Sequence, residues 1–119
     1  MPKVHSAISL DNDLWDAIHT GLRKVVEGQY YFKIDGLEAA GKTGTAQEAN
    51  NKPNHALFIG YAPYNDPSVA IAIRIANGYS SDNAAQTACD CLKYYFGIED
   101  AEELITGTAA EAATTTGGD

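Results

Sequence analysis

Several things are scarce in this 119-residue chain, and each scarcity closes off a class of function. No apolar run approaches the roughly twenty residues needed to cross a bilayer, and Met1-Pro2-Lys3 does not begin a secretion signal, so the chain as written is expected to be soluble. Its three histidines, His5, His19 and His55, have no spacing that suggests metal ligation, and no metal or cofactor is expected. For His55, at the opening of a strand, a structural hydrogen bond is the simpler expectation. The two cysteines, Cys89 and Cys91, sit two apart on a predicted helix and project to different sides, a poor geometry for a disulfide, so both are expected to pack. Basic residues number eight against sixteen acidic ones, which disfavours nucleic-acid binding.

The charge imbalance is local. From Gly97 onward lie six of the acidic residues and none of the basic ones, followed by Ala, Thr and Gly, a composition that cannot supply a core. The chain is therefore expected to divide into a folded part, residues 1–97, and a disordered acidic Ala/Thr/Gly tail, residues 98–119.

What remains reads as an α+β unit: about three antiparallel strands framed by an N-terminal and a C-terminal helix. Leu14, Ile18, Leu22 and Val25 recur at helical spacing over about 13–27, with Arg23 and Lys24 suited to the negative end and Gly28 as the stop. His55 to Ala62 and Val69 to Ala76 are strand-like runs separated by Pro63-Tyr64-Asn65-Asp66-Pro67-Ser68, so they should form an antiparallel hairpin. A third strand around Glu38 to Thr45 should lie beside them. A second helix over about 83–96 would bury Ala84, Ala88, Cys91 or Leu92, and Tyr95. Gln29 to Asp35 fits a short strand or a loop, with Tyr30 and Tyr31 as packing residues, and Trp15 should also pack.

The residues with most chemistry are Lys42, Thr43, Gly44 and Thr45, a cation, two hydroxyls and a glycine in four positions. Gly36 through Thr43 also spells Gly-x-x-x-x-Gly-Lys-Thr, the phosphate-cradling loop of nucleotide hydrolases. That loop works only where a helix begins at the lysine, because the phosphates rest on free amides at a helix start. Here Gly44, Asn50, Asn51 and Pro53 follow without helical periodicity, so strand and loop are the better expectation.

Three blocks fix the resemblance. Ala40-Gly41-Lys42-Thr43-Gly44-Thr45-Ala46-Gln47, then Asn54-His55-Ala56-Leu57-Phe58-Ile59-Gly60-Tyr61-Ala62-Pro63, then Ile75-Ala76-Asn77-Gly78 resemble the transpeptidase domain of class B penicillin-binding proteins, the cell-elongation and septation group. The resemblance implies the C-terminal portion of a penicillin-binding protein and serine β-lactamase-like fold, with the Lys-Thr-Gly strand as one wall of the active-site cleft. It implies a parent enzyme in which a serine attacks a D-alanyl-D-alanine stem peptide of peptidoglycan, expels D-alanine and passes the acyl group to an amine. β-Lactams would mimic the donor. By the same resemblance Lys42 supports catalysis, Thr43, Gly44 and Thr45 bind substrate, and the Thr45 backbone amide completes an oxyanion hole. The parent would be anchored in the cytoplasmic membrane with this domain outside the cytoplasm.

Side chains alternate along a strand, so Lys42 leaves on the opposite side from Thr43 and Thr45. All three can serve one site only from a sheet edge that the long lysine reaches around, and an edge is therefore expected. The nucleophile is absent: Ser6, Ser9, Ser68, Ser80 and Ser81 all lack a lysine three residues on. The chain alone is thus expected to be inactive, its partner being the missing N-terminal part of the same domain. Ser81-Asp82-Asn83 reproduces a second family motif but follows the strands, where Ser and Asp are better read as caps of the second helix. A non-catalytic β-lactam sensor module and, behind it, a nucleotide hydrolase are the alternatives.

Overall fold

In the computed structural model, which describes residues 1–105, strands β1 (Ala40–Ala46), β2 (His55–Ala62) and β3 (Val69–Ile75) form one antiparallel sheet in that order. Helix α1 (Asn12–Glu27) precedes the sheet and α2 (Ser81–Tyr95) follows it, giving the expected α+β arrangement. The β2–β3 hairpin closes through the Ser68 amide, which donates to the Ala62 carbonyl at 3.0 Å.

Register assigns the two faces. Gly41, Thr43 and Thr45 stand opposite Gly60, Phe58 and Ala56, and Phe58 and Ala56 in turn oppose Ile73 and Ile75 on β3. This is the core face, where Phe58, Ala56 and Ala62 pack with Ala84, Ala85, Ala88, Cys89 and Leu92 of α2. The run of alanines lets the helix lie close on the sheet, and β-branched side chains complete the layer from β3. The other face carries Lys42, Ile59, Ala72 and Arg74, all exposed.

Helix α1 crosses the start of β1. Arg23 donates from Nη1 to the Ala39 carbonyl at 2.7 Å, and its guanidinium pairs with Glu27 at 3.3 Å and Glu38 at 3.7 Å. It therefore serves the strand entrance and not the end of its own helix, where Lys24 remains as the basic residue of the last turn. Trp15 is half-buried and stacks on His19, which meets the Tyr61 ring edge-on.

Several expected packing positions move. On α1 the buried residue is Val26, while Leu14 and Ile18 are exposed. On α2, Ala84, Ala88 and Leu92 are buried as expected and Cys89 with them, but Cys91 and Tyr95 are exposed, because the face that meets the sheet runs through 84, 85, 88, 89 and 92 and both lie off it. Residues 30–32 form one turn of 3-10 helix, neither strand nor simple loop. With three residues per turn, successive side chains point in three directions, so Phe32 enters the core while Tyr30 is exposed. Tyr31 donates its hydroxyl to Asp82 at 3.0 Å. Within the expected tail, Ala101–Ile105 forms a short helix, α3, with Glu102 and Glu103 in its first turn where the dipole favours them. Residues 106–119 of that tail lie outside the described residues.

Candidate functional site

Lys42, Thr43, Gly44 and Thr45 occupy the middle of β1, whose neighbour in the described sheet is β2 alone. The expected edge is present. Lys42 is exposed on the face it shares with Ile59, whereas half-buried Thr43 and Thr45 share the opposite face with Phe58 and Ala56. The lysine amine turns back along the strand and donates to the Thr43 carbonyl at 2.9 Å, which brings its charge toward the threonine backbone. One edge thus presents a cation, two hydroxyls and a row of backbone groups, a set that can bind an anionic group by charge-assisted hydrogen bonds.

The same strand meets the strand-and-loop expectation and leaves the phosphate-loop alternative without its helix. Gly36 sits in a turn at φ +81°, bracketed by an isolated bridge between Ile34 and Leu37, and the lysine continues into β1 with β2 as the next regular element. No helix begins there, so no free helical amides converge on the Lys42 amine.

Ser81-Asp82-Asn83 is likewise committed elsewhere. The cap of α2 is Ser80, whose hydroxyl accepts from the Asp82 amide at 3.2 Å, so the helix opens earlier than expected. Asp82 accepts from Tyr31 instead of capping, and the Asn83 side chain donates to the Gly78 carbonyl at 2.8 Å. These groups lie on the helix that covers the face opposite Lys42.

The two glycines of the motif differ. A Cβ on Gly41 would come within 2.5 Å of the Ile59 carbonyl oxygen and collide with the Phe58 ring, so the fold itself demands glycine there. A Cβ on Gly44 would meet only Leu57, at an ordinary 3.4 Å, and no left-handed backbone requires it. Among the described residues Leu57 alone borders that place, at ordinary contact distance.

Beside this edge, across Ile59, lies an apolar depression of about 390 Å³ lined by Leu22, Gly41, Gly60, Tyr61 and Ala72. The Tyr61 hydroxyl is enclosed without a partner among the described residues, and burial pushes its ionisation upward.

His55 makes the structural hydrogen bonds expected of it. Its Nδ1 accepts from the Asn77 amide at 2.9 Å, and its Nε2 lies 2.9 Å from Glu48 Oε2. Neither partner was legible in the sequence, since they stand seven and twenty-two residues away.

A three-stranded antiparallel sheet, flanked in the chain by α1 and α2 and carrying Lys-Thr-Gly-Thr on an edge strand, defines an α+β fold. The family profile for the penicillin binding protein transpeptidase domain matches residues 1–93. Peptidoglycan D,D-transpeptidase MrdA of Haemophilus influenzae is 33% identical over 101 residues, covering 68% of this chain and 16% of that protein. Peptidoglycan D,D-transpeptidase PbpA of Mycolicibacterium smegmatis is 44% identical over 48 residues, 38% of this chain and 10% of the relative. Among solved structures, the imipenem acyl-enzyme complex of penicillin-binding protein A from M. tuberculosis aligns with a TM-score of 0.65 at 25% identity, over 73% of this chain and 20% of that one. Pseudomonas aeruginosa PBP2 in complex with WCK 5153 aligns with the same TM-score at 28% identity, over 84% of this chain and 24% of that one. The chain belongs to the penicillin-binding protein transpeptidase family. It spans 16% of the length of the MrdA relative, and no helix among its described residues is long and apolar enough to cross a membrane.

Proposed function

We propose that this chain supplies the Lys-Thr-Gly wall of a peptidoglycan D,D-transpeptidase site that also binds penicillin. Lys42, with the Thr43 and Thr45 hydroxyls, holds the acid end of a D-alanyl-D-alanine stem peptide or of a β-lactam. Gly44 leaves room for the bound backbone, and the Thr45 amide donates to the oxyanion, a contribution worth about a hundredfold or more in rate. The observation that carries this reading is the open place at Gly44 on an unpaired edge: the chain's own packing gives no reason for a glycine there.

The nucleophile comes from outside these 119 residues, in the N-terminal part of the same domain. Exposed Leu14, Ile18 and Ile59, together with the apolar depression beside them, offer a surface for that part to cover. Residues 1–97 belong to the domain and 98–119 to an acidic extension, and the parent is held at the cytoplasmic membrane with this domain outside.

The test is a chimera in which residues 12–96 replace the matching segment of penicillin-binding protein A from M. tuberculosis. The chimera should take a covalent label from fluorescent penicillin, and the 119-residue chain alone should take none. A chimera that melts cooperatively yet stays unlabelled would overturn the assignment, as would covalent labelling of the isolated chain.

A further inference from the structure

His55 opens β2 directly opposite Ala46, the residue that follows Thr45 and ends β1. Its side chain is 10% exposed. The Asn77 backbone amide can only donate, so Nδ1, which accepts from it, carries no proton and the ring hydrogen resides on Nε2. That hydrogen is then donated to Glu48, three residues beyond Thr45. Asn77 lies in the turn between β3 and α2 with φ at +51°, and the same turn is held to the approach of β2 by the Tyr79 amide donating to the Asn54 carbonyl at 3.1 Å. One ring in one tautomer therefore joins three segments: the exit of β1, the start of β2 and the turn after β3.

That junction matters because β1 has a ladder on one side only. Past Ala46 its pairing stops, and among the described residues the Glu48 carboxylate bond is the first side-chain link between the departing segment and the sheet. We propose that His55 is a positioning residue for the Thr43–Thr45 edge, which fixes where β1 ends and so how the Thr45 peptide is presented to substrate. The functional importance of this placement rests on the reading of that edge as the substrate wall; the clamp itself is tested without any ligand.

The experiment uses the 119-residue chain. Nitrogen NMR of the imidazole should find a bare Nδ1 and a protonated Nε2, and the reverse tautomer would overturn the proposal. His55→Gln keeps one acceptor and one donor, whereas His55→Leu keeps bulk and loses both. Hydrogen exchange of the ladder amides at the Ala46 end of β1 should accelerate about tenfold in His55→Leu and return close to the parent rate in His55→Gln. Core amides of α2 should stay unchanged. A folded His55→Leu chain with unaltered exchange of the ladder amides at the Ala46 end, or with an equal acceleration throughout, would overturn it. Should His55→Leu fail to fold, Glu48→Ala removes one limb from an exposed carboxylate and should produce the same local acceleration; its absence would sink the clamp. That failure would leave the wall assignment standing, since penicillin labelling of the chimera tests it separately.

Discussion

The ring of Phe58 lies where a side chain on Gly41 would stand. Gly60, directly opposite Gly41 in the ladder, is crowded by the same ring and by the Ala40 carbonyl, which a Cβ would approach to 2.7 Å. The glycine pair is thus a groove in the sheet, and the Phe58 ring fills it while stacking on Phe32 at 5.6 Å. Gly44, three residues along, borders no such obstacle, so of the two glycines in one short motif the core demands the first and does not demand the second.

Gly41→Ala should therefore cost about 1–3 kcal/mol, the usual range for overpacking, while Gly44→Ala should stay within about 0.5 kcal/mol of the parent. Urea denaturation of both variants checks this. In the labelled chimera the order should invert, with Gly44→Ala lowering penicillin acylation at unchanged stability. Equal destabilisation by the two alanines would show that Gly44 also serves the fold.

Arg23 ties α1 to the entrance of β1 through a short bond to the Ala39 carbonyl, and its side chain is only 17% exposed. Removing it leaves that carbonyl without its charged donor. Arg23→Met, which retains an apolar stem, should cost about 1.5–3 kcal/mol, the range for hydrogen bonds to charged groups. Glu27→Gln should cost far less, because its carboxylate is 55% exposed and its pair is screened. Similar losses in the two variants would show that the helix-surface pair, and not the carbonyl bond, holds the helix to the strand.

Burial pushes the Cys89 thiol from an ordinary 9.0 up to about 11, and its Sγ donates to the Tyr31 carbonyl at 3.1 Å. Because the folded value is the higher one, the unfolded chain loses this proton first as pH rises. The contribution is intact below about pH 9 and fades toward about pH 11. Denaturation midpoints should fall between pH 9 and 10, and Cys89→Ala should flatten that slope. Iodoacetamide should modify exposed Cys91 in the native chain and reach Cys89 only on unfolding. Equal native reactivity of the two thiols would count against the buried assignment.

How much was legible depended on whether the signal was local. Both strands of the hairpin were readable because alternation and the intervening turn residues are short-range, and the edge followed from the need for Lys42 and Thr45 to serve one site. Partners could not be read. Arg23 reaches a carbonyl sixteen residues away, Cys89 one fifty-eight away, and nothing in periodicity encodes either. The helix stripes were only partly legible for a related reason: spacing identifies an apolar face, but Leu14 and Ile18 stay exposed where no described element lies over them, and on α2 Ala84, Ala88 and Leu92 are buried as expected while Cys91 and Tyr95 lie off the face that meets the sheet. The Lys-Thr-Gly element was the most legible part of all, since four adjacent residues carry it and its strand context could be read from both flanks.

Lys42 gives the most direct separation of function from folding. Its amine is exposed and its one described bond goes to a neighbouring carbonyl, so Lys42→Ala should change the stability of the isolated chain by no more than about 0.5 kcal/mol. On the proposed reading, the same change in the chimera removes the cation that meets the substrate carboxylate, and the acylation rate with penicillin should fall about tenfold or more. Lys42→Arg keeps the charge but exchanges a compact ammonium for a planar fork, so it should recover part of the rate, and added salt should slow the parent chimera more than the alanine variant. A rate loss matched by an equal loss of stability would mean that the lysine holds the strand together, and the assignment of β1 as the substrate wall would then lack its cation.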